Sequence, residues 1–175
     1  MIQLHPIKRL QDLNPDFRQI YEDSFPEDER REWDQFADLF QKTEFAIFEI
    51  YDPTQFLGFI AVWNLHKFSF IEHFAIRSNL RNKGFGSNAM KKFLTENFHP
   101  VILETEDLQT EEAQKRISFY ERLNFCAFNE NYYQPAYSKE KKKVKMILMR
   151  YPKIKNPTDF ETFKSEIHRT VYSHF

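Results

Sequence analysis

The chain has 175 residues, is 41% hydrophobic and 17% aromatic with 20 phenylalanines, and carries a formal net charge of -1. That length suits one domain with a sizeable core, and the near-neutral charge gives no general attraction to nucleic acid or anionic membrane. One cysteine excludes an internal disulfide; with no apolar run near the ~20 residues of a membrane span and no apolar leader after Met1, the sequence reads as a cytoplasmic protein.

Taken in order, Ile2 to Ile7 alternates weakly and is expected to form a short first strand. Asn14-Pro15-Asp16 is a helix start, and Phe17, Ile20, Tyr21 and Ser24 share one face of the helix it opens. Ser24-Phe25-Pro26-Glu27 has the form of a capping box for a second helix, with Glu27, Asp28 and Glu29 in its first turn. Trp33, Phe36, Ala37 and Phe40 give that helix an apolar stripe, which leaves Arg30 and Arg31 facing solvent.

Phe45 to Tyr51 and Phe56 to Trp63 read as strands joined by the turn Asp52-Pro53-Thr54, a hairpin with Gly58 marking a bulge or a close backbone approach. Phe68 to Ile76 is a third strand in series. A helix follows from Asn88 to Leu94, then a short buried strand from Pro100 to Glu104, then a helix from Glu111 to Leu123 that buries Ala113, Ile117 and Tyr120. Asn124 after that helix tolerates the left-handed conformation that ends helices. Phe125 to Phe128 and Val144 to Tyr151 form a closing hairpin around a polar, lysine-rich loop from Tyr137 to Lys143, which reads as solvated rather than as a partner site. Cys126 falls in a strand, as a structural thiol rather than a nucleophile. Thr158-Asp159-Phe160-Glu161 caps a last helix whose face is Phe160, Phe163, Ile167 and Val171. The domain proper is expected over residues 1–151. Residues 152–175 form a helical extension packed on it or on a second subunit, which would make a homodimer.

The chemistry centres on Arg81-Asn82-Lys83-Gly84-Phe85-Gly86-Ser87. The whole chain has three glycines, and two of them stand here, between a strand and a helix. Strand, short glycine loop and helix together aim unpaired N–H groups and a positive dipole end at one spot, which is an anion site for a phosphate-bearing ligand. A dinucleotide fingerprint fits poorly, because several strands precede the loop; a P-loop fails because its lysine comes before Gly84. What the stretch resembles is the acyl-CoA loop of the GNAT superfamily of N-acyltransferases, Arg/Gln-x-x-Gly-x-Gly/Ala, with Arg81, Gly84 and Gly86 at every defined position. A second run matches the same family further on. Phe119, Tyr120 and Phe125 stand where its members carry Phe-Tyr-x-x-x-Gly-Phe, with Asn124 for the glycine.

The resemblance, which covers roughly residues 43–151, implies a fold and a site. The fold is α/β (α+β): a mixed, mostly antiparallel sheet of about seven strands flanked by helices, with parallel strands splayed at the cofactor. The cosubstrate is acetyl-CoA. Backbone groups of Phe74, Ala75 and Ile76 meet its pantetheine arm, and those of Arg81, Asn82, Lys83, Gly84, Phe85, Gly86 and Ser87 hold its pyrophosphate. Tyr120 is the expected proton donor to the departing thiolate. The chain departs from the pattern at Ala113, where many members have asparagine, and at Arg116, where a small residue is usual.

An attacking amine like that of lysine is mostly protonated at neutral pH, a deficit of roughly 4–5 kcal/mol, so a base is needed. Glu72 is the candidate, since it interrupts an apolar strand and burial would raise its pKa. His73 points to the other side unless the strand bulges, and Glu104 is an alternative contact for a cationic acceptor. The six scattered histidines lack ligand spacing, so no metal is expected. The expected activity is acetyl transfer to a primary amine of a small molecule or peptide, without nucleic acid or membrane partners. The other reading is a silent acyl-CoA-binding sensor or scaffold.

Overall fold

A computed structural model describes residues 1–107, 109–153 and 159–172. Eight strands form one sheet: β1 (Gln3–Ile7), β2 (Phe45–Tyr51), β3 (Phe56–Asn64), β4 (Ser69–Ile76), β5 (Val101–Glu106), β6 (Cys126–Ala127), β7 (Tyr132–Gln134) and β8 (Val144–Tyr151). Their order is β1-β2-β3-β4-β5-β8-β6, with β7 also paired to β8. Every pair is antiparallel except β4 and β5. The helices are α1 (Phe17–Ser24), α2 (Trp33–Asp38), α3 (Phe85–Glu96), α4 (Glu111–Arg122) and α5 (Phe160–Thr170).

The sheet divides the core. Phe17, Phe36, Trp63, Phe163 and Ile167 pack on the face covered by α1, α2 and α5. Ile71, Met90, Phe93, Ile117 and Tyr120 pack on the face covered by α3 and α4. The C-terminal helix therefore shares the main core, with Phe163 edge-on to Phe68 at 4.7 Å and Phe160 beside Phe128 at 5.5 Å. Thr158, expected to cap it, lies outside the described residues.

Parallel pairing of β4 with β5 runs only from Ser69↔Val101 to Ile71↔Leu103. Both strands continue past that point, β4 paired with β3 as far as Ile76 and β5 paired with β8 as far as Glu106. The sheet is thus forced open between them while each strand keeps its other neighbour. Gly58 meets its expectation in both respects. The register slips beside it, between Ile50 and Tyr51, and a Cβ at Gly58 would lie 2.0 Å from the Ala75 carbonyl oxygen. A second bulge lies in β4: Ala61 faces His73 while Val62 faces Ile71, which leaves Glu72 as the extra residue. A bulge breaks the two-residue alternation, so Glu72 and His73 both point to the α1–α2–α5 face.

Three sequence expectations are corrected near the N-terminus. Asn14 starts an Asx turn, its Oδ1 accepting from the Asp16 N–H at 3.0 Å, and α1 begins only at Phe17. Ser24 and Glu27 form no capping box. Residues Glu27–Glu29 make one 3-10 turn, and Glu32 with Gln35 supplies the reciprocal cap of α2. Arg31 does not face solvent; it is 1% exposed. Its Nε donates to Glu72 Oε1 at 3.0 Å and its Nη2 to the Val171 carbonyl at 2.7 Å, so the segment between α1 and α2 is drawn across the sheet. At the other end of the chain β7 was not expected, and Tyr137 is buried rather than part of a solvated loop. Asn124 takes the left-handed conformation at φ 69°, as read from its position.

A buried ion pair that loses one partner leaves the other charge stranded, at about 3–5 kcal/mol. Arg31→Met is therefore expected to lower the unfolding free energy by that amount in urea titrations. Adding Glu72→Gln to the same chain should recover part of the loss, because the stranded charge is gone.

Candidate active site

The glycine loop sits at the mouth of the opening between β4 and β5. Gly84 caps α3 at φ 82°, and nothing lies within 4 Å of where its Cβ would be. It is glycine for its left-handed backbone, not for a crowded surrounding. Asn82, at φ 62°, is left-handed as well. The first N–H groups of α3 have no carbonyl one turn back to bind, so they are available at this end of the helix. Arg81 is tied into the frame, its Nε donating to the Ile76 carbonyl at 2.9 Å and its Nη2 to Ser24 Oγ at 3.2 Å. Gly86 has ordinary backbone geometry; a Cβ there would meet Ile76 Cγ1 at 3.5 Å and Phe74 Cζ at 3.6 Å. The protein itself would accommodate that methyl group in ordinary contact, and Gly86 lines the cavity.

A cavity of about 560 Å³ fills the opening and reaches both faces of the sheet. On the α3–α4 side it is bounded by Phe74, Ala75 and Ile76 of β4, by Gly84, Gly86 and Ser87, and by Tyr120. Past Ile71 the edge of β4 that faces β5 has no ladder partner, which exposes backbone groups along this wall. Tyr120 is 6% exposed, held on α4 by the helix face that also buries Ala113 and Ile117. Its hydroxyl has no hydrogen-bond partner among the described residues, and burial pushes its pKa up to about 12 despite the nearby Arg116. Tyr120 thus stays protonated through the neutral range. Arg116 pairs with Glu106 of β5, which gives the unusual arginine a definite partner.

On the opposite side the cavity meets Glu29, Glu72, His73, Glu104 and Gln134. Glu72 departs from its expectation. Burial alone would raise its pKa, but the Arg31 guanidinium, the adjacent His73 and donors from Trp63 and Tyr137 bring it below the ordinary glutamate value. Both carboxylate oxygens are occupied: Oε1 by Arg31 and by the Tyr137 hydroxyl at 2.9 Å, Oε2 by Trp63 Nε1 at 2.6 Å. His73 lies on the same face through the bulge. Its Nε2 is 3.0 Å from the Glu29 carbonyl oxygen, its ring packs between Tyr21 and Phe25, and burial depresses its pKa.

Glu104 is the contrasting carboxyl. It would be the next residue of β5 after the last parallel pair, so it stands at the apex of the opening. Burial pushes its pKa up to about 8; the hydroxyls of Tyr132 and Tyr172 oppose that shift, and the charges of Glu72 and Glu29 reinforce it. Glu29 is itself raised to about 7, by burial and by Glu106, against the pull of Arg116. Two neighbouring carboxyls are therefore held apart, Glu72 ionised and Glu104 poised near neutrality.

The structure brings together Arg81, Asn82, Gly84, Gly86 and Ser87 of the loop, Phe74 to Ile76, Tyr120, Glu72, His73 and Glu104 around the cavity, whereas Lys83 does not line it and Phe85 packs against the apolar core. Sequence reasoning missed Glu29, Arg31, Glu106, Tyr132, Tyr137 and Tyr172. Only Glu106 had a visible signal, since it shares a strand face with Glu104. Cys126 is half-buried in β6. Among the described residues no group of three or more histidine, cysteine, aspartate or glutamate side chains is arranged to hold a metal ion, and no helix is long and apolar enough to cross a membrane.

An open parallel strand pair over a glycine-capped helix, with a tyrosine on the following helix, defines a GNAT-type acyltransferase fold. The chain belongs to the acetyltransferase (GNAT) family, whose family model matches residues 10–125. It is similar over its whole length to a Bacteroides thetaiotaomicron protein assigned to that family, with 29% identity, a TM-score of 0.90 and 99% of each chain covered. The fold also matches the ribosomal-protein-S18-alanine N-acetyltransferase of Escherichia coli, at 17% identity and a TM-score of 0.64, over 91% of this chain and 98% of that one. An Elizabethkingia anophelis GNAT acetyltransferase with acetyl-CoA bound matches at 13% identity and a TM-score of 0.58, over 85% of this chain and 96% of that one. Among curated protein sequences, none matches the chain.

The raised Glu104 pKa has a consequence for stability. The folded protein keeps this proton up to about pH 8, whereas an unfolded glutamate releases it near 4.3. The contribution is fully present below the unfolded value and is lost as pH rises through the folded one. Glu104→Gln should therefore gain unfolding midpoint on the native protein steadily from about pH 4 to pH 8, and the gap should level off above that. Thermal melts of both proteins across this range check it.

Proposed function

We propose that the protein transfers the acetyl group of acetyl-CoA to a primary amine of a small molecule or peptide. One observation carries the reading: a single cavity passes through the open strand pair, with a protonated tyrosine on one face and a carboxyl poised near neutrality on the other. The free N–H groups at the start of α3 suit the pyrophosphate, with residues 81–87 shaping its approach. The unpaired edge of β4 at Phe74, Ala75 and Ile76 suits an amide-bearing pantetheine arm laid in place of a strand. The thioester then lies at the apex, between Tyr120 and Glu104.

Glu104 is the better base, and Glu72 holds the frame. An ionised carboxylate already accepting three hydrogen bonds is a weak base, whereas a carboxyl near pH 8 takes a proton from an ammonium readily. Glu104 removes one proton from the entering ammonium. The amine nitrogen attacks the thioester carbonyl carbon, the C–S bond breaks, and Tyr120 gives its proton to the sulfur. The second proton of the nitrogen returns to Tyr120, restoring its hydroxyl, and Glu104 releases the first to solvent, so the net products are the amide, the CoA thiol and one proton. The carboxyls Glu29 and Glu104 favour a cationic acceptor, and the likeness to an enzyme named for a protein N-terminal alanine supports including peptides in an acceptor panel.

The cofactor half is tested by Gly86→Val, whose Cβ would sit in ordinary contact with Ile76, Phe74 and Phe119 and whose branches would crowd the cavity wall. Its acetyl-CoA affinity by titration calorimetry is expected to fall at least tenfold, about 1.4 kcal/mol, with the melting temperature kept; equal affinities would remove the loop from the site.

The chemistry is tested on the amine panel by CoA release. Tyr120→Phe and Glu104→Gln should each lose roughly 10²–10⁴ in turnover with acetyl-CoA binding intact. The native kcat/KM should rise through about pH 8 with an amine of higher pKa, and Glu104→Gln should lack that limb. Glu72→Gln should keep it. Binding of acetyl-CoA with no turnover of any amine would favour the silent sensor instead.

A further inference from the structure

We propose that Tyr172, just past the C-terminal helix, is a positioning residue of the acceptor half-site: its hydroxyl orients the Glu104 carboxyl, and its ring packs on Tyr137, whose own proton is given to the Arg31–Glu72 pair. The proposal rests on the reading of Glu104 given above.

Four distances define the arrangement. The Tyr172 hydroxyl donates to Glu104 Oε2 at 2.9 Å. It lies 3.5 Å from the Tyr137 hydroxyl, and the two rings pack at 5.2 Å. Tyr137 donates to Glu72 Oε1 at 2.9 Å, and Arg31 joins that same oxygen to the Val171 carbonyl. The path from Glu104 through Tyr172, Tyr137, Glu72 and Arg31 therefore closes on the residue next to Tyr172. Residues 171 and 172 pin both of its ends, one by a carbonyl and one by a hydroxyl. Val171 and Tyr172 are buried, and Phe160, Phe163 and Ile167 anchor α5 in the core beneath them.

The geometry also says what the contact does. The other Glu104 oxygen accepts from Tyr132 of β7. Each phenol has one proton, and both are directed at Glu104, so the arrangement suits the carboxylate and must rearrange when that group is protonated. The remaining charged neighbours act the other way: Glu72 from β4 and Glu29 from the segment before α2 both disfavour the anion. On the strand of Glu104 itself, Glu106 is engaged with Arg116. Tyr172 is thus one of two donors that keep the base usable near neutral pH. Neither family motif reaches it, and the family match ends at residue 125.

Tyr172→Phe keeps the ring and removes the donor. Loss of a hydrogen bond to a charged group should move the Glu104 midpoint upward by about one to two pH units. The native-to-variant ratio of kcat/KM should then be about 10–100 near pH 7 and shrink toward alkaline pH, with acetyl-CoA affinity unchanged. A packing role would lower the rate by one factor at all pH values. The midpoint can be read without any acceptor, from the infrared carboxyl band that Glu104→Gln lacks. Fluorotyrosine at position 172 keeps ring and hydroxyl and is a stronger donor, so it should move the band midpoint downward. A midpoint that stays put in both variants overturns the proposal. The outcomes separate the two readings: normal turnover by Glu104→Gln would sink Glu104 as the base while the infrared shift still decides the Tyr172 contact.

Discussion

The Arg31–Glu72 ion pair is the constraint on which the rest of the structure depends. Two charges out of water hold together only when every remaining donor and acceptor is matched. Here Glu72 receives Arg31, Trp63 and Tyr137, and Arg31 spends a further donor on the Val171 carbonyl. Those partners come from the segment before α2, from β3, from the loop before β8 and from the chain just after α5. One pair therefore fixes four segments against β4. The bulge that makes Glu72 an extra residue is what turns the carboxylate toward them while Ile71 and Phe74 still face α3 and α4.

With that frame in place, the opening between β4 and β5 can remain open. Each strand is fully paired on its outer side, so the unmatched edges are confined to the cavity. The two walls then differ in kind. One is backbone, helix end and aromatic rings, suited to a long ligand held without charge pairing. The other is a set of carboxyls tuned apart by their neighbours. Separation of pKa values between nearby acids is how one small site holds an anion and a proton acceptor side by side.

How much was legible in the sequence follows from the range of each interaction. The loop Arg81 to Ser87 and the Phe119-Tyr120 run are local signals, and strands such as β2 and β8 carry enough β-branched and aromatic residues to be bounded within their own windows. Asn124 was readable because helix ends have their own chemistry. Arg31 was not: its partners lie 41 and 140 positions away, and beside a run of acids it looks like any solvated cation. The bulge at Glu72 is a matter of register that alternation does not show, and it decides between the two sides that the sequence left open for His73. The expected rise of the Glu72 pKa failed for the same reason, since burial was readable and the compensating guanidinium was not. Tyr132, Tyr137 and Tyr172 converge on carboxyls only through tertiary packing, so no pattern in the chain announced them.

The placement of Val171 and Tyr172 orders events during synthesis. The glycine loop, β4 and the Tyr120 helix leave the ribosome well before the last helix does. A nascent chain can therefore assemble the wall made of backbone and rings first. Glu104 acquires its Tyr172 partner, and Arg31 its Val171 carbonyl, only once residue 172 has emerged and α5 has docked. The donor-facing half of the cavity draws on residues synthesised early, and its proton-handling half needs residues synthesised more than fifty positions after Tyr120.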